Sequence, residues 1–161
     1  MQRRTFFTAV ALAALGLPSI AVAAPLAVGD TLPQLQFDNQ HGKAEPFPGT
    51  ETRVVLFAIE KAPSDEINAY LSDIGVEAMR KQGIVFLADI SGMPGFVTQS
   101  FALPKMRKRP YPILLASKAD QAAFMPHQKD AATVLTVHQC KITHVAFVQN
   151  AAGIKAAVGS N

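Results

Sequence analysis

Two apolar runs on either side of a helical pattern constrain this chain more than any other feature. Arg53 to Ile59 (RVVLFAI) and Ile84 to Ile90 (IVFLADI) are nearly continuous in β-branched and other apolar residues, as in strands covered on both faces. Between them, Ser64 can accept bonds from free backbone N–H groups while Asp65 and Glu66 suit the positive end of a helix dipole, which predicts a helix starting there. Ile67, Leu71, Ile74 and Ala78 recur at helical spacing, Arg80, Lys81 and Gly83 supply a cationic last turn and a stop, and Gly75 is a point of interruption. A strand, a helix and a second strand in this order make a right-handed parallel βαβ unit.

The rest of the chain is read around that unit. Before it, Gln34 to Asp38 alternates in polarity and is followed by Asn39, Gly42, Pro46, Pro48 and Gly49, so a small N-terminal hairpin is expected. After it, Phe96 to Leu103 reads as a short helix ended by Pro104, KMRKRP as a loop, and Tyr111 to Leu115 as a third strand. ATVLTV and KITHVAFV form a β-hairpin turning at His138-Gln139-Cys140, and Asn150 caps a last helix running to about Val158.

The first residues are expected to be removed. Arg3 and Arg4 precede an apolar stretch from Ala9 to Leu17, too short to span a bilayer, and Ala21-Val22-Ala23 is a small-residue cleavage site. A cut after Ala23 avoids placing Pro25 directly past the scissile bond. QRRTFF resembles a twin-arginine export signal, and ordinary secretory signals also carry paired arginines; both routes lead to a bacterial periplasm. Residues 24–161 are then expected to form a single domain with no membrane span, because no second apolar run approaches the ~20 residues a spanning helix needs.

Charge and cysteine content narrow the function classes. The formal charge of +3 owes two units to Arg3 and Arg4, so the exported part is near neutral and offers no whole-protein argument for nucleic acid. Cys140 is the only cysteine, which excludes an internal disulfide.

The element order, with VGDTLP followed by DNQHGK, resembles the opening of the exported thioredoxin-like and peroxiredoxin families, and RPYPILLAS resembles the segment in which they carry a cis-proline. The resemblance implies an α/β fold of thioredoxin type, with a central mixed sheet, flanking helices and an N-terminal β-hairpin extension. It also implies that Pro112 is the cis-proline, preceded by Tyr111. Ala62-Pro63-Ser64-Asp65 stands where a thioredoxin has Cys-x-x-Cys. Disulfide exchange needs a thiolate attacker and a resolving partner, so the dithiol oxidoreductase and ordinary peroxiredoxin chemistries lack their nucleophiles here.

Three sets of candidate residues remain. Ser64, Asp65 and Glu66, with the Tyr111-Pro112 edge, are the expected face toward a protein or peptide, although carboxylates at a helix start also serve only to stabilise it. Lys105, Arg107, Lys108 and Arg109 form the densest charge run, suited to an anionic partner or lipid headgroup if it is more than a solvated loop. Cys140 is the weak catalytic candidate, acting with an external thiol such as glutathione. His41, His127, His138 and His144, with Met125 and Cys140 nearby in sequence, supply copper- or zinc-ligand types and make a periplasmic metal-binding protein a further alternative, but their spacing fits no compact zinc signature, and neither metal nor other cofactor is expected. The leading expectation is therefore a binding or accessory module.

Overall fold

The computed structural model describes residues 24–159; the expected export signal lies outside the described residues. The strands are β1 (Leu35–Asn39), β2 (Ala44–Phe47), β3 (Val54–Ala58), β4 (Ile84–Asp89), β5 (Leu114–Ala116), β6 (Ala132–His138) and β7 (Lys141–Val148). They form one mixed sheet in the order β2-β1-β5-β4-β3-β6-β7. β3 pairs in parallel with β4 and β4 with β5, whereas β6 and β7 run antiparallel beyond β3, and β1 and β2 run antiparallel beyond β5. This is the thioredoxin-like α/β arrangement, with the parallel βαβ unit at its centre and the N-terminal hairpin on one edge.

All five residues of β3 are buried, and its side chains alternate between two cores. Val54, Leu56 and Ala58 face Ile67 and Leu71 of α1 (Lys61–Lys81) and Ile154 and Val158 of α4 (Ala151–Gly159). Val55 and Phe57 face the opposite side, where Leu32, Phe37, Phe47 and Met125 close the core. Each of these side chains larger than alanine contributes about 1.5–3 kcal/mol by leaving water. Pro46 is accommodated because β2 is an edge strand, where no neighbour needs its missing N–H.

Gly75 interrupts α1 as expected, with φ 79° and ψ 164°. Gly83 ends the following turn with φ 64°, and a Cβ there would meet the Glu51 carbonyl oxygen at 2.1 Å, so this position is closed to any side chain. Asn150 caps α4 through its Oδ1, which accepts the Gly153 N–H at 2.8 Å.

Four expectations need correction. First, α1 starts at Lys61, with Glu60 as N-cap and no side-chain cap; the Ser64 N–H already bonds the Glu60 carbonyl at 3.2 Å, placing Ser64 inside the first turn. Second, Pro104 does not end a helix. Residues 95–107 form α2 (Gly95–Val97), a π-helical turn (Thr98–Ala102) and α3 (Leu103–Arg107), so Pro104 sits in the first turn of α3 and Lys105, Met106 and Arg107 of the expected loop are helical. The Leu103 N–H reaches back five residues to Thr98, and this change of register restarts the helix where proline's missing donor is tolerated.

Third, the third strand begins at Leu114 rather than Tyr111. The Gln40 carboxamide replaces the ladder before it, donating to the Tyr111 carbonyl and accepting from the Ile113 N–H, both at 2.8 Å. Fourth, the Tyr111–Pro112 peptide is trans; among the described residues the cis bond is Phe47–Pro48. Pro112 precedes a strand parallel to β4 and therefore lies at the opposite end of the sheet from the α1 start.

Candidate functional site

The carboxyl ends of β3 and β4 and the first turns of α1 form one side of a groove of about 230 Å³, and residues 93–106 form the other. Its floor is apolar: Ala58, Ala88, Ile90, Met93, Val97 and Met106. Ile59 and Phe101 stand on its rim and leave 45% and 68% of their surface open to solvent. The groove exists because β3 and β4 stop together while the chain after β4 rises over them before turning into the helical segment. Crevices at the carboxyl ends of parallel strands are the usual ligand positions of α/β sheets.

Polar residues frame this groove without filling it. Asn68, buried in α1, donates from Nδ2 to the Ser64 carbonyl at 2.7 Å and accepts the Tyr111 hydroxyl at Oδ1 at 3.0 Å. Asp65 bonds Lys61 at 2.5 Å and Lys105 at 3.3 Å, tying α1 to α3 across the rim. The hydrogen bond from Lys61, reinforced by Lys105 and opposed by partial burial, holds the Asp65 carboxyl below its ordinary value.

The expected site residues separate on this map. Ser64 and Asp65 do line the groove. Glu66 points away and accepts the Ala151 N–H at 2.8 Å, so its carboxylate caps α4. Tyr111 is buried beneath the groove, 2% exposed, and cannot offer its ring to a partner. Pro112 is exposed in a separate cleft with Pro46, Met79 and Ile84. Arg107 donates to the Gln40 carbonyl at 3.0 Å and Arg109 to Ser72 Oγ at 3.1 Å, so both brace the segment before β5.

The segment that meets the α1 start across the sheet is 127–131, not 111–112. It precedes β6, which is antiparallel to β3, and the Asp130 N–H donates to Glu60 Oε2 at 2.6 Å. Here Glu60, His127 and Lys129 border a more polar cleft of about 370 Å³.

Cys140 sits in the β6–β7 turn with φ 65°, and its sulfur accepts from Gln34 Nε2 at 3.5 Å. The length of β6, about 20 Å at 3.4 Å per residue, separates it from the groove. The histidines are likewise dispersed: His41 in the β1–β2 turn, His127 before β6, His138 at the end of β6 and His144 on β7. Among the described residues, no group of three or more His, Cys, Asp or Glu side chains is placed to hold a metal ion.

Ile59, Met93, Val97, Phe101 and Met106 were not evident as site residues from the sequence. Apolar residues at helical spacing ordinarily mark core, and only the fold leaves this face partly uncovered.

No protein-family model matches the sequence, and no curated protein matches it. Solved structures do match its shape. Peroxidoxin BcpB from Mycobacterium tuberculosis superposes with a TM-score of 0.57 at 13% identity over 83% of this chain and 94% of that one. The thioredoxin domain of a thiol-disulfide oxidoreductase from Bacteroides vulgatus gives 0.54 at 13% identity, covering 83% and 99%. A thio-disulfide isomerase from Thermus thermophilus gives 0.52 at 16% identity, covering 84% and 94%. The chain therefore has a thioredoxin-like fold, and at these identities the likeness defines the fold alone.

Proposed function

We propose that this protein is an exported thioredoxin-like binding module that works without a dithiol and receives an apolar side chain of a peptide or protein in the groove beside α1. The observation that carries this reading is the groove itself: an apolar cavity stands at the helix start, and Ala62-Pro63-Ser64-Asp65 lines that start with no thiol. Its volume of about 230 Å³ suits one large side chain, since sites for drug-sized ligands run to about 300–1,000 Å³. Ile59 and Phe101 supply apolar contacts at the mouth, and the Asp65–Lys105 pair links the two walls.

The test is a titration with short phenylalanine- and leucine-containing peptides, followed by methyl NMR at Ile59, Met93 and Met106. Saturable shifts confined to these residues, weakened by Phe101→Ser, are expected; shifts absent there, or insensitive to Phe101→Ser, refute the reading. Insulin-disulfide and hydroperoxide reduction should be absent in the parent and in Cys140→Ser alike, and turnover lost on Cys140→Ser would establish a thiol enzyme instead. Export places this module in the periplasm, where the recovered chain should begin at Ala24.

A further inference from the structure

Residues 95–109 have an exposed outer face that continues from the groove rim. Phe96 is 71% exposed and lies outside the groove lining, and Phe101, also on the rim, is 68% exposed. Ser100, Pro104, Lys105 and Lys108 are exposed along the same helical segment. No Asp or Glu occurs in the sequence between Asp89 and Asp120, while Lys105, Arg107, Lys108 and Arg109 cluster at its helical end. Among the described residues, the one salt bridge in this cluster joins Lys105 to Asp65. Arg107 and Arg109 bond a carbonyl and a hydroxyl rather than a carboxylate.

We infer that this face docks on an anionic lipid bilayer. Phe96 and Phe101 enter the boundary between headgroups and acyl chains, and Lys108, about 10 Å along the helix from Phe101, meets the phosphates. Charge complementarity selects the lipid surface: exposed phenylalanine supplies apolar area, and the acid-free basic run supplies attraction to any dense layer of phosphate. A folded protein partner offers no such uniform negative plane. The attachment is peripheral, because no described helix is long and apolar enough to cross a membrane. It overlaps the groove at Phe101 and Lys105, which line it, and extends beyond it at Phe96 and Lys108, which do not.

Co-sedimentation with vesicles tests the inference, using phosphatidylglycerol mixed with phosphatidylcholine in one arm and phosphatidylcholine alone in the other. All proteins compared carry the same N-terminus, so any contribution from residues before Ala24 cancels. Binding should be at least tenfold stronger to the phosphatidylglycerol vesicles and should fall as salt rises above about 0.1 M. Lys108→Glu should weaken it by roughly fivefold or more, the scale of one basic charge at an anionic surface. Phe96→Ser should weaken it by a similar factor while leaving the thermal melt unchanged, because the side chain is exposed. Equal binding to both vesicle types, no binding, or binding indifferent to Phe96→Ser and Lys108→Glu would overturn it. Capture of a protein through this face, with vesicle binding absent, would overturn it in favour of a protein partner.

Discussion

At the carboxyl ends of β3 and β4 the chain builds an apolar groove beside the amino end of α1; at the far end of β6 it places its single thiol. Helices α1 and α4 run away from the groove, so Gln82 and Gly159, at or just past their carboxyl ends, border the cleft beside His138 and Gln139. A reactive thiolate is favoured by helix amino ends and nearby cations. Those amino ends and Cys140 occupy opposite ends of the sheet. The comparison teaches that scaffold and nucleophile are separable: the fold keeps a shaped crevice while the only sulfur nucleophile lies about 20 Å away.

Substitutions at each end sharpen this contrast, beginning with the end that carries no groove. Gly83→Ala should be the most damaging, costing roughly 3 kcal/mol, because it combines a positive φ with a backbone clash against Glu51. Urea denaturation checks it, and a midpoint shift too small for about 1 kcal/mol would mean that the turn relaxes freely. At the groove end, Tyr111→Phe should cost about 1–2 kcal/mol by leaving the buried Asn68 oxygen without its donor. Methyl NMR should then show disturbance at Met93 and Met106 ahead of any at Cys140.

Glu66→Ala should cost about 1 kcal/mol by uncapping α4, with faster amide exchange at Ala151 as its local signature. If peptide binding at the groove fell while Ala151 exchange stayed unchanged, Glu66 would belong to the site rather than to the cap. The smallest effect is that of pH. Asp65 titrates below its ordinary value in the folded chain, so its stabilisation is present above the unfolded value near 3.8 and is lost as pH falls through the lower folded value. Asp65→Asn should therefore flatten part of the stability loss below pH 3.8 and change little near neutrality, as thermal melts across that range would record.

Much of the fold was legible because local rules and tertiary context agreed. The unbroken apolar runs at Val54–Ala58 and Ile84–Asp89 belong only in a doubly covered sheet, Gly75 and Gly83 break the helix where a positive φ occurs, and Asn150 caps α4. Ser64, Asp65 and Glu66 illustrate the failure. Their local pattern is that of a helix start, but Glu60 lies four residues earlier with no side-chain cap, and the helix start is tied down by contacts remote in sequence. Glu60 meets Asp130, Asp65 meets Lys105 and Glu66 meets Ala151. No spacing rule can report such partners.

The segment around Pro112 is instructive for the same reason. A proline ahead of an apolar run suggests a strand edge at the site, but which end of the sheet it occupies depends on the direction of β5 relative to β4. Strand order is a global property. Pro104 likewise reads as a helix stop until the π turn before it resets the register.

By itself the sequence determined that β3 and β4 are buried, that a helix joins them, and that one cysteine stands alone, because periodicity, glycine stereochemistry and composition act within a few residues. Only the tertiary structure decided that Ile59, Met93, Phe101 and Met106 border a groove, that Glu66 serves α4, and that Cys140 lies at the far end of β6. Those facts follow from the strand order and the direction each strand runs, which place residues forty or more apart in contact and hold others at opposite ends of the same sheet.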